Sequence, residues 1–186
     1  MIDQLLLWRD HFLPGHALDI GAGEGEISLW LARHGFIVDA LEPDQRQAEL
    51  LQSQFAPYPI QLHILDVLNF SLPSDHYALI VASAVLHFID RDQLQPLAAR
   101  LSNSLIPGGM LFAAAFTTDD PAHQETQAPD TTHVHHFSRR GELRQLFRPL
   151  DVVVYEESRR SAPQSMYGYR AGATLIARQP STSRSA

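Results

Sequence analysis

The sequence predicts an α/β fold, a doubly wound parallel sheet, and three observations carry that expectation. An apolar segment at 17–20 runs into a turn with glycines at 21, 23 and 25, and then into a helical pattern with Ile27, Leu29, Trp30, Leu31 and Ala32 as its apolar residues. Strand-like runs then alternate with helical ones as far as residue 116, the order that builds parallel strands through right-handed crossovers. Acidic residues, Glu42 and Asp66, stand just past the ends of the second and third runs, where such sheets place ligand contacts.

Residues 2–12 read as a short amphipathic helix stopped by Pro14-Gly15. After the glycine turn, the helix closes near His34-Gly35, and 36–41 forms the second strand. Pro43-Asp44 opens a polar helix to about Phe55, with proline as its first residue. The third strand is 60–65 and the fourth 77–82. Asp92 is the expected cap of a helix reaching about Leu105, and Pro107-Gly108-Gly109 turns the chain into a strand over 110–116. Residues 117–136 are polar and long for a plain connection, which suggests a lid or a flexible loop. Ser138 is the expected cap of a helix through Phe147, 150–155 reads as a strand, 159–169 as a loop, and 173–177 as the last strand. The organisation expected is one domain over 1–178 with a disordered Ser-rich tail at 179–186.

Composition narrows the partners. The 186 residues carry a formal net charge of −7 and no basic stripe, which argues against nucleic acid. No run approaches the roughly 18 apolar residues of a membrane span, so no membrane partner is expected and the cytoplasm is the expected location. Cysteine is absent, which removes disulfides, thiolate metal sites and a cysteine nucleophile.

The turn itself selects among nucleotide-type ligands. A dinucleotide fingerprint needs its third glycine at position 26, which is Glu26 here, with Glu24 close by. Two carboxylates beside a helix N-terminus repel a pyrophosphate, and no Gly-Lys-Ser/Thr follows to make a phosphate-binding loop. An adenosyl ligand with a cationic sulfonium and no phosphate tolerates this acidic turn, which points to S-adenosylmethionine. The expected contacts are Asp19, Gly21, Ala22, Gly23 and Gly25 at the turn, then Glu42 with Pro43. Glu42 lies 21 residues beyond Gly21, a distance suited to accepting both ribose hydroxyls. Asp66 can accept the adenine amino group, with Val67 and Leu68 against the base, while Ala82 and its small neighbours leave room for the methionine part. Taken alone, Asp66 is an ordinary strand-end acid; it gains weight as the third element of the set.

Together Leu18-Asp-Ile-Gly-Ala-Gly-Glu-Gly25, Glu42, Asp66 and Pro107-Gly-Gly109 resemble the class I S-adenosylmethionine-dependent methyltransferases. That resemblance implies a Rossmann-like, seven-stranded sheet whose last strand is inserted antiparallel. Within the class, Ser28-Leu-Trp-Leu-Ala32, Val85-Leu-His-Phe88, Phe137 with Gly141-Glu-Leu-Arg144, and Ala173-Thr-Leu-Ile-Ala-Arg178 are similar to the tellurite-resistance methyltransferases. The implied reaction methylates a small molecule, including an oxyanion such as tellurite or selenite, in a monomer or homodimer. The family tends to carry His-Arg before the last strand, whereas this chain has Arg159-Arg160.

An oxyanion needs cationic donors, and Arg159 and Arg160 can supply them, assisted by His135 or His136; the same pair also reads as a solvated loop. His87, near the fourth strand tip, could orient a nucleophile or be a packed histidine. His133-Val-His135-His136, with His123 upstream, puts 133 and 135 on one side of an extended segment, a metal-ligand pattern. Tight transition-metal sites usually add an oriented carboxylate or further ligands, and methyl transfer to a chalcogen needs no metal, so no metal site is assigned. The competing readings are a methyltransferase for an organic acceptor, a non-catalytic cofactor-binding module, and an NAD-dependent oxidoreductase, which Glu26 disfavours.

Overall fold

A computed structural model describes residues 1–125, 136–163 and 168–181. Its elements are α1 (Ile2–Trp8), β1 (His16–Ile20), α2 (Glu26–Arg33), β2 (Ile37–Leu41), α3 (Gln45–Phe55), β3 (Ile60–His63), β4 (Tyr77–Ser83), α4 (Arg91–Ser104), β5 (Leu105–Phe116), α5 (Ala122–Glu125), α6 (Glu142–Leu146), β6 (Asp151–Ser161) and β7 (Tyr169–Arg178). The seven strands form one sheet in the order β3-β2-β1-β4-β5-β7-β6. The first five are mutually parallel, and β7 enters antiparallel between β5 and β6. Chain order reverses at β1, so the cleft beyond the β1 and β4 tips is the natural place for a ligand.

The central strands are apolar runs because both faces are covered. Along β4, Ile80 and Ala82 join one core with Leu18, Leu111 and Leu175, while Leu79 and Val81 join the other with Ala17, Phe112 and Ile176. That alternation is the period of two expected of a strand. Among the described residues no helix is long and apolar enough to cross a membrane.

Several boundaries differ from the sequence expectation. Asp44 is the N-cap of α3, its side chain accepting the Gln47 N–H at 2.8 Å, so Pro43 precedes the helix. The cap position of α4 is Asp90, not Asp92. Ser138 does not cap a helix: it pairs with Thr117, and α6 starts at Glu142 after Gly141. Residues 105–109 are part of β5, which bulges where Tyr77 opposes Leu105 but Leu79 opposes Met110. The largest change is at the end of the chain. β6 runs to Ser161 and β7 begins at Tyr169, so Arg159 and Arg160 lie in a strand and not in a loop. The tail begins ordered, since Gln179 exchanges hydrogen bonds with Gly109 and Gly108 at 2.8 and 3.0 Å; residues 182–186 lie outside the described set.

Candidate active site at the carboxyl ends of the strands

The chain leaves β1 through three glycines, all in the left-handed region, at φ +72, +54 and +81. Gly21 and Ala22 both donate to the Leu41 carbonyl, at 2.9 and 2.8 Å, which ties the turn to the end of β2. A Cβ at Gly25 would lie 2.7 Å from Leu51 and 2.8 Å from Phe55, so this glycine permits α2 to pack on α3. Gly23 is different. A Cβ there would meet nothing closer than the Gly21 carbonyl at 3.9 Å, leaving its outer face open for a ligand to approach bare backbone.

Two acids brace this turn. Asp19 is buried, with Oδ2 accepting from the Ser28 hydroxyl at 2.6 Å and Oδ1 without a hydrogen-bond partner. Burial pushes its carboxyl up from 3.8 to about 6, and the Ser28 bonds only partly offset this. A cation nearby would relieve that buried charge. Glu42, at the tip of β2, accepts the Gly23 N–H at 2.8 Å through Oε2 and the Asp44 N–H at 2.9 Å through Oε1. Each oxygen keeps a second lone pair, enough for two ribose hydroxyls. Pro43 is exposed beside it.

Asp66 follows β3 in a local turn, Oδ1 accepting the Leu68 N–H at 2.8 Å. Its second oxygen and the Val67 N–H are left for an adenine edge. The Val67 side chain, however, is buried in the core, so the partly buried Leu68 is the apolar neighbour left for the base. Ala82 is also buried, paired with Ile20 and Ala113 inside the sheet. The small residue at the β4 tip is Ala84, exposed at φ +55 with its N–H on the Ala114 carbonyl. The residues present therefore fit S-adenosylmethionine: an open glycine backbone, an unpaired buried carboxylate oxygen and a strand-tip acid with spare lone pairs.

Beside Ala84 lies a cavity of about 130 Å³, walled by Ala114, Phe116 and Gly172 with Arg160 and Arg170 at its polar side. The Arg170 guanidinium sits 3.8 Å from the Phe116 ring centroid, and its Nε donates to Asp120 at 2.8 Å. Asp120 is buried and also accepts the Ala171 and Ala122 N–H groups. Arg160 is exposed and has no ion-pair partner among the described residues. Its neighbour Arg159 points to the other face of β6, as strand alternation requires, and stacks on Tyr169 at 5.5 Å. The structure thus separates the two arginines that the sequence puts together.

His87 lies in a 3-10 turn after β4, buried, with its ring 4.5 Å from Phe116. Burial, then the Arg170 charge, lowers its pKa to about 4, so the imidazole is neutral near pH 7; its Nδ1 has no hydrogen-bond partner. The His136 backbone N–H donates to the His87 carbonyl at 3.0 Å, and its Nε2 lies 3.3 Å from Glu142. His133 and His135 lie outside the described residues. Arg170, Asp120 and Phe116 were not singled out from the sequence. Asp120 and Arg170 stand 50 residues apart, and no local motif joins them.

The model of the methyltransferase domain matches residues 17–109, half of the chain. An uncharacterised methyltransferase of Mycobacterium tuberculosis is 32% identical over 101 residues, which is 54% of this chain and 50% of that protein. The chain therefore spans about half the length of the curated relatives it matches first. Among solved structures, TehB from Haemophilus influenzae is similar at a TM-score of 0.76 and 19% identity, covering 96% of this chain and 60% of that one. An S-adenosylmethionine-dependent methyltransferase from Methanosarcina mazei is similar at 0.74 and 18% identity, covering 94% and 97%. At these identities the likeness is one of fold.

Proposed function

The chain belongs to the methyltransferase domain family, and from that premise we propose that it transfers a methyl group from S-adenosylmethionine to a small acceptor, a chalcogen oxyanion such as tellurite or selenite. The matched segment holds every cofactor contact expected from the sequence, Asp19 through Ala82. When bound, S-adenosylmethionine supplies a sulfonium methyl whose carbon–sulfur bond breaks as the acceptor lone pair bonds to carbon, leaving a neutral thioether.

The protein's share of the work is alignment and exclusion of water, so no nucleophilic residue is needed. Gly21, Ala22, Gly23 and Gly25 would offer their backbone to the methionine part, and the buried Asp19 carboxylate would favour its cationic end. Glu42 with Pro43 would hold the ribose, and Asp66 with the Val67 backbone would hold the base. Ala84 leads to the acceptor cavity. His87, neutral at pH 7, fixes the Phe116 wall through ring contact.

The observation that carries the acceptor reading is the small cavity with Arg160 at its mouth. At about 130 Å³ it is well below the roughly 300 Å³ where drug-sized ligand pockets begin. Asp120 already neutralises Arg170, so Arg160 supplies the uncompensated positive charge, while Arg159 is directed away. The alanine and phenylalanine walls favour a second reading, a small organic acceptor with a soft nucleophile.

The discriminating experiment is steady-state turnover of Arg160→Gln with selenite and with an organic thiol. For an anionic acceptor, losing one charge-assisted contact of about 1.5–3 kcal/mol should raise KM roughly 10–100-fold for selenite and leave the thiol unaffected. Equal loss for both acceptors, or none for either, would defeat the oxyanion reading.

A further inference from the structure

At the opposite end of the sheet from the cofactor cleft, the geometry points to a divalent transition-metal site, of zinc type, formed by His16, Asp39 and His76. Each of these residues offers a ligand atom, and the three atoms lie within 4.8 Å of one another. Among the described residues they form the one such group. In tetrahedral zinc, bonds of roughly 2.0–2.1 Å put ligand atoms about 3.3 Å apart, so modest side-chain rotation closes the site. Two imidazoles, a carboxylate and a water are an ordinary zinc donor set.

Three further observations separate this group from a chance meeting of polar residues. The His16 and His76 rings lie close and tilted, centroids 4.3 Å apart with 40° between their planes, and neither imidazole has a hydrogen-bond partner among the described residues. Both are half-buried, so a metal could reach them while most of the surrounding water is excluded. Asp39 is held in place, Oδ1 bonded to His63 Nε2 at 2.8 Å and Oδ2 accepting from the Tyr77 hydroxyl at 2.9 Å. Outer hydrogen bonds of that kind orient a metal-ligating carboxylate.

The backbone under each ligand is also fixed. His16 opens β1, Asp39 lies within β2 opposite Leu18, and the His76 N–H is bonded to the Ser104 carbonyl at 2.9 Å just before β4. A cation here would clasp three adjacent strands where the 64–76 connection crosses without a helix. It would lie away from Gly23 and Glu42, so cofactor affinity should be insensitive to it.

Zinc binding is to be measured by calorimetry on the full chain, for wild type, His16→Gln, His76→Gln and the outer-contact variant His63→Gln. The wild type should bind one equivalent at this site, lost in the first two variants and weakened about 10–100-fold in the third. S-adenosylhomocysteine affinity should stay unchanged in all of them. The 123–136 segment contributes histidines of its own, so unchanged zinc stoichiometry and affinity in His16→Gln and His76→Gln would overturn the assignment. Should those variants fail to fold, crystals of the wild type soaked in zinc decide. Anomalous density between His16, Asp39 and His76 supports the site; its absence there overturns it.

Discussion

Glu42→Gln separates a residue that braces the turn from one that also binds cofactor. In the wild type both carboxylate oxygens accept backbone N–H groups, from Gly23 at 2.8 Å and Asp44 at 2.9 Å. Glutamine has the same shape, but one terminal atom becomes a donor. Whichever way the amide faces, one of the two N–H groups meets another N–H. The bond lost is charge-assisted, about 1.5–3 kcal/mol, and it exists without ligand, so it should register as a fall in folding stability. A ribose hydroxyl on the remaining side then donates to a neutral oxygen, a loss of about 1.4 kcal/mol, or tenfold in affinity. Urea denaturation reads the first quantity and calorimetric titration of S-adenosylhomocysteine the second. Lower stability with unchanged affinity would refute the ribose contact and leave Glu42 as a brace for the turn alone.

The glycines should respond differently from one another. Gly25→Ala combines a left-handed alanine with overlap on Leu51 and Phe55, and should cost about 2–4 kcal/mol of stability. Gly23→Ala should cost about 1–2 kcal/mol, since its Cβ meets open space, yet weaken cofactor binding at least as much as Glu42→Gln. Comparable stability loss in both would contradict the division between packing and ligand glycine. Asp19 should set a pH dependence. Its folded pKa of about 6 lies above the ordinary 3.8, so the stability linked to its proton is full below about 3.8 and lost as pH rises through about 6, about 3 kcal/mol in all. His87 acts in the opposite sense, with stability present above 6.5 and lost as pH falls through about 4. The test is therefore the difference between wild type and Asp19→Asn in urea melts from pH 4 to 7. A difference that does not change with pH would contradict the buried-acid assignment.

The glycine turn and the strand-tip acids were legible in the sequence because they are local. A strand, its glycine turn and the acids at the next two strand tips each stand within a few residues, and their order along the chain gives their places around one cleft. The cavity beside Ala84 was not. Arg159-Arg-Ser161 is polar enough to read as the start of a loop, but an edge strand of an antiparallel hairpin is wetted on one side and needs no apolar run. Once that segment is a strand, alternation sends Arg159 and Arg160 to opposite faces. Arg170 reaches the cavity only through the β6–β7 register and through Asp120, whose partnership depends on how 117–122 folds back over the β5 tip. Ala82 was placed at the tip and lies two residues below it, because β4 runs one residue further than its apolar stretch. His16, Asp39 and His76 are equally non-local, joined only by strand pairing.

The proposed function rests on methyl transfer from S-adenosylmethionine at this cleft. The most direct test follows an isotopically labelled methyl group from S-adenosylmethionine into selenite, with mass spectrometry of both the methylated product and S-adenosylhomocysteine. The two should appear in equimolar amounts, dependent on selenite, and about tenfold or more slowly in Glu42→Gln at subsaturating cofactor. Cofactor that binds yet yields neither product with selenite nor with an organic thiol would contradict it, leaving a binding module on a methyltransferase fold.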